Sequence, residues 1–437
     1  MAPNPSCLCT IHWVMPYLRR AERIRLTLPS TDEWGLRSPA RYFIDAFRRD
    51  GAPKLQELDV RCDWAVIHRE DRTKTIMDSP TVKRVKSQNF PLVVKGCNLV
   101  ELHIACEEDD FTWKHSDICQ ILRDCPQLRI LVLLAACSPR LSEWNHQQED
   151  TITLTHLSRL HIRDTFDVWT ILRRLMSTPK LAQVHVDVIS QSMGGDVDED
   201  LTTFSTECMV FAEFAAALCP KKLITHGSLV SSFHFQRDVD EKRGGSPLLN
   251  WPEYMTLSLA IDADHILNGA PRDAELYTFT MRSAMTSTKP YRLHRRARRT
   301  PHQPADVVFM KYWVAALQSL QLSSLSTSRL LSDRIDTLVV NVDDFSPSPI
   351  DWHALLVETS NLTTLYLPGV DIDGPGLRCL TQALGQYMQG SFIPADELIR
   401  VYLPHWKFAQ GAIPVRSLER DYRKIRRGCS RPIVWSS

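Results

Sequence analysis

Apolar residues at the first, fourth and sixth positions of short segments recur along this chain, with polar residues between them. Leu128-Arg-Ile-Leu-Val-Leu133 is the clearest copy. Leu99-Val-Glu-Leu-His-Ile104 precedes it and Leu157-Ser-Arg-Leu-His-Ile162 follows it at the same step along the chain. In a short strand this spacing turns the apolar residues toward a shared core and the residues between them outward. One such strand cannot hide its own apolar face, so equal steps predict stacked repeats. Further copies are Ala21–Leu28, Leu55–Val60, the weaker Val82–Val85, Leu181–Val186, Val230–Phe235, Tyr254–Leu259, Ile335–Val340, Leu362–Leu367 and Leu398–Leu403.

The segments between the strands carry a helical period that ends near proline. Arg41–Arg49 places Tyr42, Phe43, Ala46 and Phe47 on one face, and Gly51 and Pro53 stop it. Ile118–Cys125 ends at Pro126, Val168–Met176 before Pro179 and Phe211–Cys219 at Pro220. Proline ends a helix because it lacks an N–H and crowds the preceding turn. Later helices are predicted at Val307–Gln321, Asp351–Thr359 and Gly376–Met388. Strands alternating with helices predict an α/β fold with parallel strands. The expected form is a leucine-rich-repeat solenoid with a parallel sheet on its concave side and helices on its convex side. The acidic, glycine-containing stretch Met193–Asp200 reads as a loop insertion between two repeats.

Regularity lapses between Ala270 and Ala305, which divides the chain into four parts. Residues 1–20 form a short irregular segment, 21–269 the first array, 270–306 a basic insertion, and 307–437 the resumed array with a C-terminal cap. Because a repeat array grows without adding separate cores, one elongated unit is expected despite the length of 437 residues.

Charge and composition narrow the function. The chain holds 52 basic and 51 acidic side chains, so no overall field selects a partner. Six arginines or histidines crowd Tyr291–Arg299, which suits a solvated loop, a nuclear-import signal or a phosphate contact. No aromatic platform accompanies them, so nucleic acid is not the expected partner. The segment Met1-Ala-Pro-Asn-Pro-Ser-Cys7 lacks a basic region followed by an apolar core, and no apolar run of about 18 residues occurs. No membrane association is expected. Twelve cysteines sit mostly within apolar patterns, as reduced thiols do, which predicts a cytoplasmic or nuclear setting. Cys7-x-Cys9 with His12 lacks a second ligand pair, so neither a metal nor another cofactor is expected.

No Gly-rich phosphate loop, Gly-x-Ser-x-Gly or His-Glu-x-x-His motif occurs. Protein binding is therefore the expected function, and no catalytic residue is assigned. The alternative is an enzyme with a site assembled across the concave face, for which Cys106 with His115 is one candidate pair. The residue between the last two apolar positions of each strand points out of the concave face. Read strand by strand, that position gives Asp59, His103, Val132, His161, His185, His234, Ser258, Val339, Tyr366 and Tyr402. Arg159 and Arg163 flank His161, while Gln183 and Asp187 flank His185. If the strands at Leu157 and Leu181 are neighbours, these two histidines stand about 5 Å apart. Such a pair suits a pH-sensitive contact or two ligands of a metal, beside the plainer reading of polar surface.

The phrases Asp124-Cys-Pro-Gln-Leu-Arg-Ile-Leu-Val-Leu133, Thr178-Pro-Lys-Leu-Ala-Gln-Val-His-Val186 and Ser360-Asn-Leu-Thr-Thr-Leu-Tyr-Leu367 resemble repeats of F-box-like leucine-rich-repeat proteins of mushroom-forming fungi. The resemblance runs from about Tyr17 to Trp406. It implies a substrate receptor in a cullin-type ubiquitin ligase, with the repeats holding a ubiquitination substrate and an N-terminal three-helix F-box docking on the Skp adaptor. No Leu-Pro-x-Glu opening precedes Tyr17, and the stretch before it is too short for three helices of ordinary length. Adaptor docking is therefore not expected of this segment.

Overall fold

The structure is a computed structural model that describes residues 15–28, 39–62, 75–90, 92–106, 113–136, 151–178, 181–190, 197–218, 226–232, 253–260, 277–285, 337–342, 349–359, 362–367, 379–380, 382–383, 400–402 and 434–436. It divides into two compact units, Met1–Val188 and Ile189–Ser437. The first array expected over 21–269 is crossed by this boundary.

The first unit is built on seven strands: β1 (Arg23–Leu28), β2 (Glu57–Cys62), β4 (Arg84–Gln88), β6 (Glu101–Ala105), β7 (Ile130–Leu134), β9 (Arg159–Thr165) and β11 (Gln183–Ser190), with β3 (Thr75–Asp78), β5 (Leu92–Lys95), β8 (Ile152–Thr153) and β10 (Met176–Ser177) standing outside this sheet. They lie side by side in that order as one parallel sheet. The repeat is written in its backbone hydrogen bonds. Gln56 and Glu57 N–H both donate to the Glu22 carbonyl, Lys83 and Arg84 to Gln56, and Val100 and Glu101 to Lys83. Arg129 and Ile130 donate in the same way to Val100, Ser158 and Arg159 to Arg129, and Ala182 and Gln183 to Ser158.

Each strand starts two residues later than its apolar pattern does. The first apolar residue closes a turn instead: Leu99 N–H donates to Gly96 at 3.0 Å, Leu128 to Cys125 at 3.2 Å and Leu157 to Leu154 at 3.2 Å. Those leucines are buried all the same, so the motif marks core positions and the ladder begins after the turn. Gly96 permits a close approach, since a Cβ on it would overlap the Ser79 carbonyl oxygen.

Alternation gives the sheet a closed face and an open one. Leu58, Val60, Val85, Leu102, Ile104, Leu131, Leu133, Leu160, Ile162, Val184 and Val186 fill the closed face. At β4 the third apolar position is Ser87, whose buried hydroxyl donates to the Phe90 and Leu92 carbonyls at 3.1 Å each. That pair of bonds satisfies a polar group inside the core.

Among the described residues, helices cover three connections of this unit, while the connection between β4 and β6 carries a short strand in place of a helix. The helices are α1 (Pro39–Asp50), α2 (His115–Arg123) and α3 (Phe166–Leu175). Elsewhere short strands pair outside the main sheet, β3 (Thr75–Asp78) with β5 (Leu92–Lys95) and β8 (Ile152–Thr153) with β10 (Met176–Ser177), both in parallel. The connection from Gln88 at the end of β4 to Glu101 at the start of β6 is too short for a helix with its turns, and Leu92-Val-Val94 fills the space as a buried strand. Aromatic side chains pack beneath: Phe43 lies 5.8 Å from Phe47 and 6.1 Å from Phe90, ring to ring. Phe166 and Trp169 stand 5.5 Å apart on α3.

In the second unit, α4 (Val197–Leu218) starts inside the stretch expected to be a loop at Met193–Asp200 and runs on through the helix predicted from Phe211. Phe204, Cys208 and Phe211 bury one stripe of it. The strands are β12 (His226–Ser232), β13 (Glu253–Ala260), β14 (Tyr277–Met285), β15 (Thr337–Val342), β16 (Thr364–Tyr366), β17 (Arg400–Tyr402) and β18 (Val434–Ser436). From β12 through β15, β16 and β17 to β18 the pairing is parallel, as the repeats predict. On the other side of β12, however, β13 pairs antiparallel with it and β14 antiparallel with β13. The polar stretch Gln236-Arg-Asp-Val-Asp-Glu-Lys-Arg-Gly-Gly245 contains no apolar helical period, and a parallel crossover needs a dozen or more residues that can pack back on the sheet. β14 also lies within 270–306, so part of that insertion is regular strand. Helix α5 (Pro349–Val357) begins two residues before the predicted Asp351 and buries Trp352, Leu355 and Leu356. Its first residue is a proline, whose missing N–H costs nothing there. The predicted helix Val307–Gln321, the basic run Tyr291–Pro301 and most of Gly376–Met388 lie outside the described residues.

Candidate functional site

The open face of the first unit presents side chains in rows, because parallel strands in register bring equivalent positions side by side. The central row runs Arg25, Asp59, Lys86, His103, Val132, His161. His185 follows on β11, in ring contact with His161. The row beside it runs Arg23, Glu57, Arg84, Glu101, Ile130, Arg159, with Gln183 next.

Across β1, β2, β4 and β6 the two rows alternate in sign. Arg23 Nε lies 3.5 Å from Glu57, Arg84 3.2 Å from Glu57 and 3.6 Å from Glu101, Lys86 3.6 Å from Glu101, and Arg25 3.5 Å from Asp59. His103 Nε2 stands 2.7 Å from Glu101 Oε1. Carboxylates and cations on this half answer one another.

The face changes character at β7. Ile130, Val132 and Leu134 interrupt the charges, and Val132 is buried even on the open side. Beyond them His161 and His185 meet edge to face, with ring centroids 4.4 Å apart and planes at 83°. Burial lowers the His161 pKa from 6.5 to about 4, and the neighbouring His185, Arg159 and Arg163 push it the same way. Burial also lowers His103, against the opposing pull of Glu101. The His161 and His103 rings are therefore held neutral near pH 7. Arg163 Nε lies 3.6 Å from the buried carboxylate of Asp187, whereas Arg159 faces no carboxylate among the described residues.

Of the residues read from the sequence, Asp59, His103, Val132, Arg159, His161, Arg163, Gln183 and His185 all fall on this one face. In the second unit Ser258, Val339, Tyr366 and Tyr402 occupy equivalent register positions through Ser228, which pairs with both Ser258 and Val339. Ser228 stands where His234 was expected, because β12 lies nearer the N-terminus than the Val230 pattern implied; His234 itself is outside the described residues. Burial raises the Tyr366 pKa. Sequence reasoning missed Lys86, since Ser87 breaks the apolar pattern that would have marked it. It also missed Glu101, which holds Arg84, Lys86 and His103 together; its position two residues before His103 on the same strand face was the available signal.

Cys106 is buried, and the side chain of His115 lies outside the described residues, so the two are not placed as a pair. Among the described residues no three His, Cys, Asp or Glu side chains group as metal ligands, so His161 and His185 belong to no such group there. No helix among the described residues is long and apolar enough to cross a membrane. Compared with known proteins, the chain matches no family model and no curated protein.

Proposed function

We propose that this chain is a protein–protein interaction module of the leucine-rich-repeat type, related to the substrate receptors of cullin-type ubiquitin ligases. The observation that carries this reading is the seven-stranded parallel sheet with one face closed by leucine and valine and the other displaying in-register rows of charged, imidazole and apolar side chains. Surfaces assembled from successive repeats bind extended partners without any catalytic motif. Support also comes from the near-equal steps that separate Leu99, Leu128, Leu157 and Leu181, and from the same turn and paired carbonyl bonds at successive strand starts. The partner engages the open face, and in the receptor reading it is a ubiquitination substrate.

Affinity capture with the tagged full chain tests the module. Changing His161 and His185 to Ala together should deplete specific partners while the melting temperature stays within a few degrees of the parent. Unchanged capture with an unchanged melt removes this face from the binding surface. Co-purification of Skp and cullin supports the receptor reading, whereas partners without either support a scaffold.

A further inference from the structure

The two halves of the open face differ in what they still need. Over β1, β2, β4 and β6 the carboxylates Glu57, Asp59 and Glu101 already stand among Arg23, Arg25, Arg84 and Lys86, and an added acidic group would compete with them. Over β7, β9 and β11 one cation stands without such a neighbour among the described residues. Asp187 is the one carboxylate directed at that region among the described residues and Arg163 takes it, leaving the exposed Arg159 beside an apolar strip and two imidazoles. Arg159 and Arg163 stand four residues apart on one face of β9, about 13 Å along the strand. Carboxylates four residues apart in an extended chain match that spacing, with the residue midway between them over His161 and Val132.

Resting on the interaction-module reading, the geometry points to an extended acidic segment of a protein partner, which lies along β9 with carboxylates at Arg159 and Arg163 and an apolar side chain between them, and whose docking draws a proton onto the His161–His185 pair. The groups facing His161 are Arg159 and Arg163 on its own strand, His185, Gln183 and Asp187 on β11, and His103 with Glu101 two strands away; β7 contributes only Ile130, Val132 and Leu134. In the free protein this setting keeps the ring neutral. Partner carboxylates at Arg159 and Arg163 offset the two cations that lower His161, which favours the imidazolium. By linkage, binding then tightens as pH falls toward the free protein's value of about 4. At pH 5.5 the partner's carboxylates are still mostly ionised.

The test uses the full chain and a fluorescein-labelled peptide containing Glu-Ser-Leu-Ser-Glu, with Gln-Ser-Leu-Ser-Gln as its neutral counterpart. Fluorescence anisotropy should show the acidic peptide binding at least about tenfold more tightly than the neutral one. Arg159→Glu should remove that advantage, while Arg23→Glu on the other half leaves it in place. Affinity should rise several-fold from pH 7.5 to 5.5, and His161→Ala with His185→Ala should flatten the rise. Arg159 is exposed and its change spares the core, so loss of binding by that variant reads as loss of the contact. Equal affinity for both peptides, an Arg159→Glu variant that binds as the parent does, or a flat pH profile in the parent overturns the inference. If the double histidine variant loses the full chain's captured partners while the acidic peptide does not bind, the module stands and the acidic-partner inference falls.

Discussion

His161 and His185, on neighbouring strands of a parallel sheet, meet edge to face with their ring centroids 4.4 Å apart. Two imidazoles that close, with Arg159 and Arg163 on either side, cannot both charge without mutual repulsion, and partial burial penalises even one charge.

This arrangement makes the stability of the first unit depend on pH. His161 titrates at about 4 when folded and near 6.5 when unfolded, so the unfolded chain binds more protons between those values. Stability is full above pH 6.5 and falls as pH drops toward 4. At pH 5.5 the loss should be at most about 1 kcal/mol after allowance for solvent screening. Thermal melts at pH 7.5 and 5.5 should show this difference, and the His161→Ala, His185→Ala variant should show less of it. A parent whose melting temperature is constant over that range contradicts the assignment.

Leu131 and Leu160 are register partners on the closed face, 0% and 2% exposed. Replacing either by Ala should cost about 2–5 kcal/mol. Replacing either by Asp should unfold the unit, because an unpaired carboxylate would enter the core. Circular dichroism melts decide this, and a wild-type profile for Leu131→Asp would place the leucine outside the core.

Two glycines should respond differently to the same change. Gly96→Ala meets the Ser79 carbonyl oxygen, which is backbone and cannot swing away. A loss of about 1–3 kcal/mol is expected from that overpacking. At Gly51 a Cβ has open space, but φ is +64° and its N–H donates to Phe47 to cap α1. The cost there is the left-handed strain alone, about 1 kcal/mol. Urea titrations of the two variants should rank Gly96→Ala as the more damaging.

The charge ladder should matter little to stability. Arg84 bridges Glu57 and Glu101 but is 59% exposed, and such pairs are screened by water and salt. Arg84→Ala should cost less than about 1 kcal/mol at low ionic strength and nothing measurable in 1 M salt. A large, salt-independent loss would show that the ladder is structural.

The strand faces were legible in the sequence because alternation is a local property. Once Leu102 and Ile104 point inward, Glu101 and His103 must point the other way. Strand starts were not legible to within two residues, since Leu99, Leu128 and Leu157 bury equally well in a turn or in a strand. Helix α1 was readable from Phe43, Ala46 and Phe47. The short strands β3 and β5 were not, because a four-residue segment with two or three apolar residues has no period long enough to distinguish it from a helical one.

What the sequence determined by itself is the set of core positions and the outward residues Asp59, His103, Val132, His161 and His185, through a spacing that only a repeated strand satisfies. The tertiary structure decided which strands are neighbours and in which direction they run. β13 carries an apolar pattern much like that of β15, yet it pairs antiparallel with β12 while β15 pairs parallel with the same strand. A strand's own residues set its faces, but its direction depends on whether the preceding connection can cross over and pack. The 4.4 Å meeting of His161 with His185, and the insertion of Lys86 between Asp59 and His103, likewise arise from ladder hydrogen bonds between residues far apart in the chain.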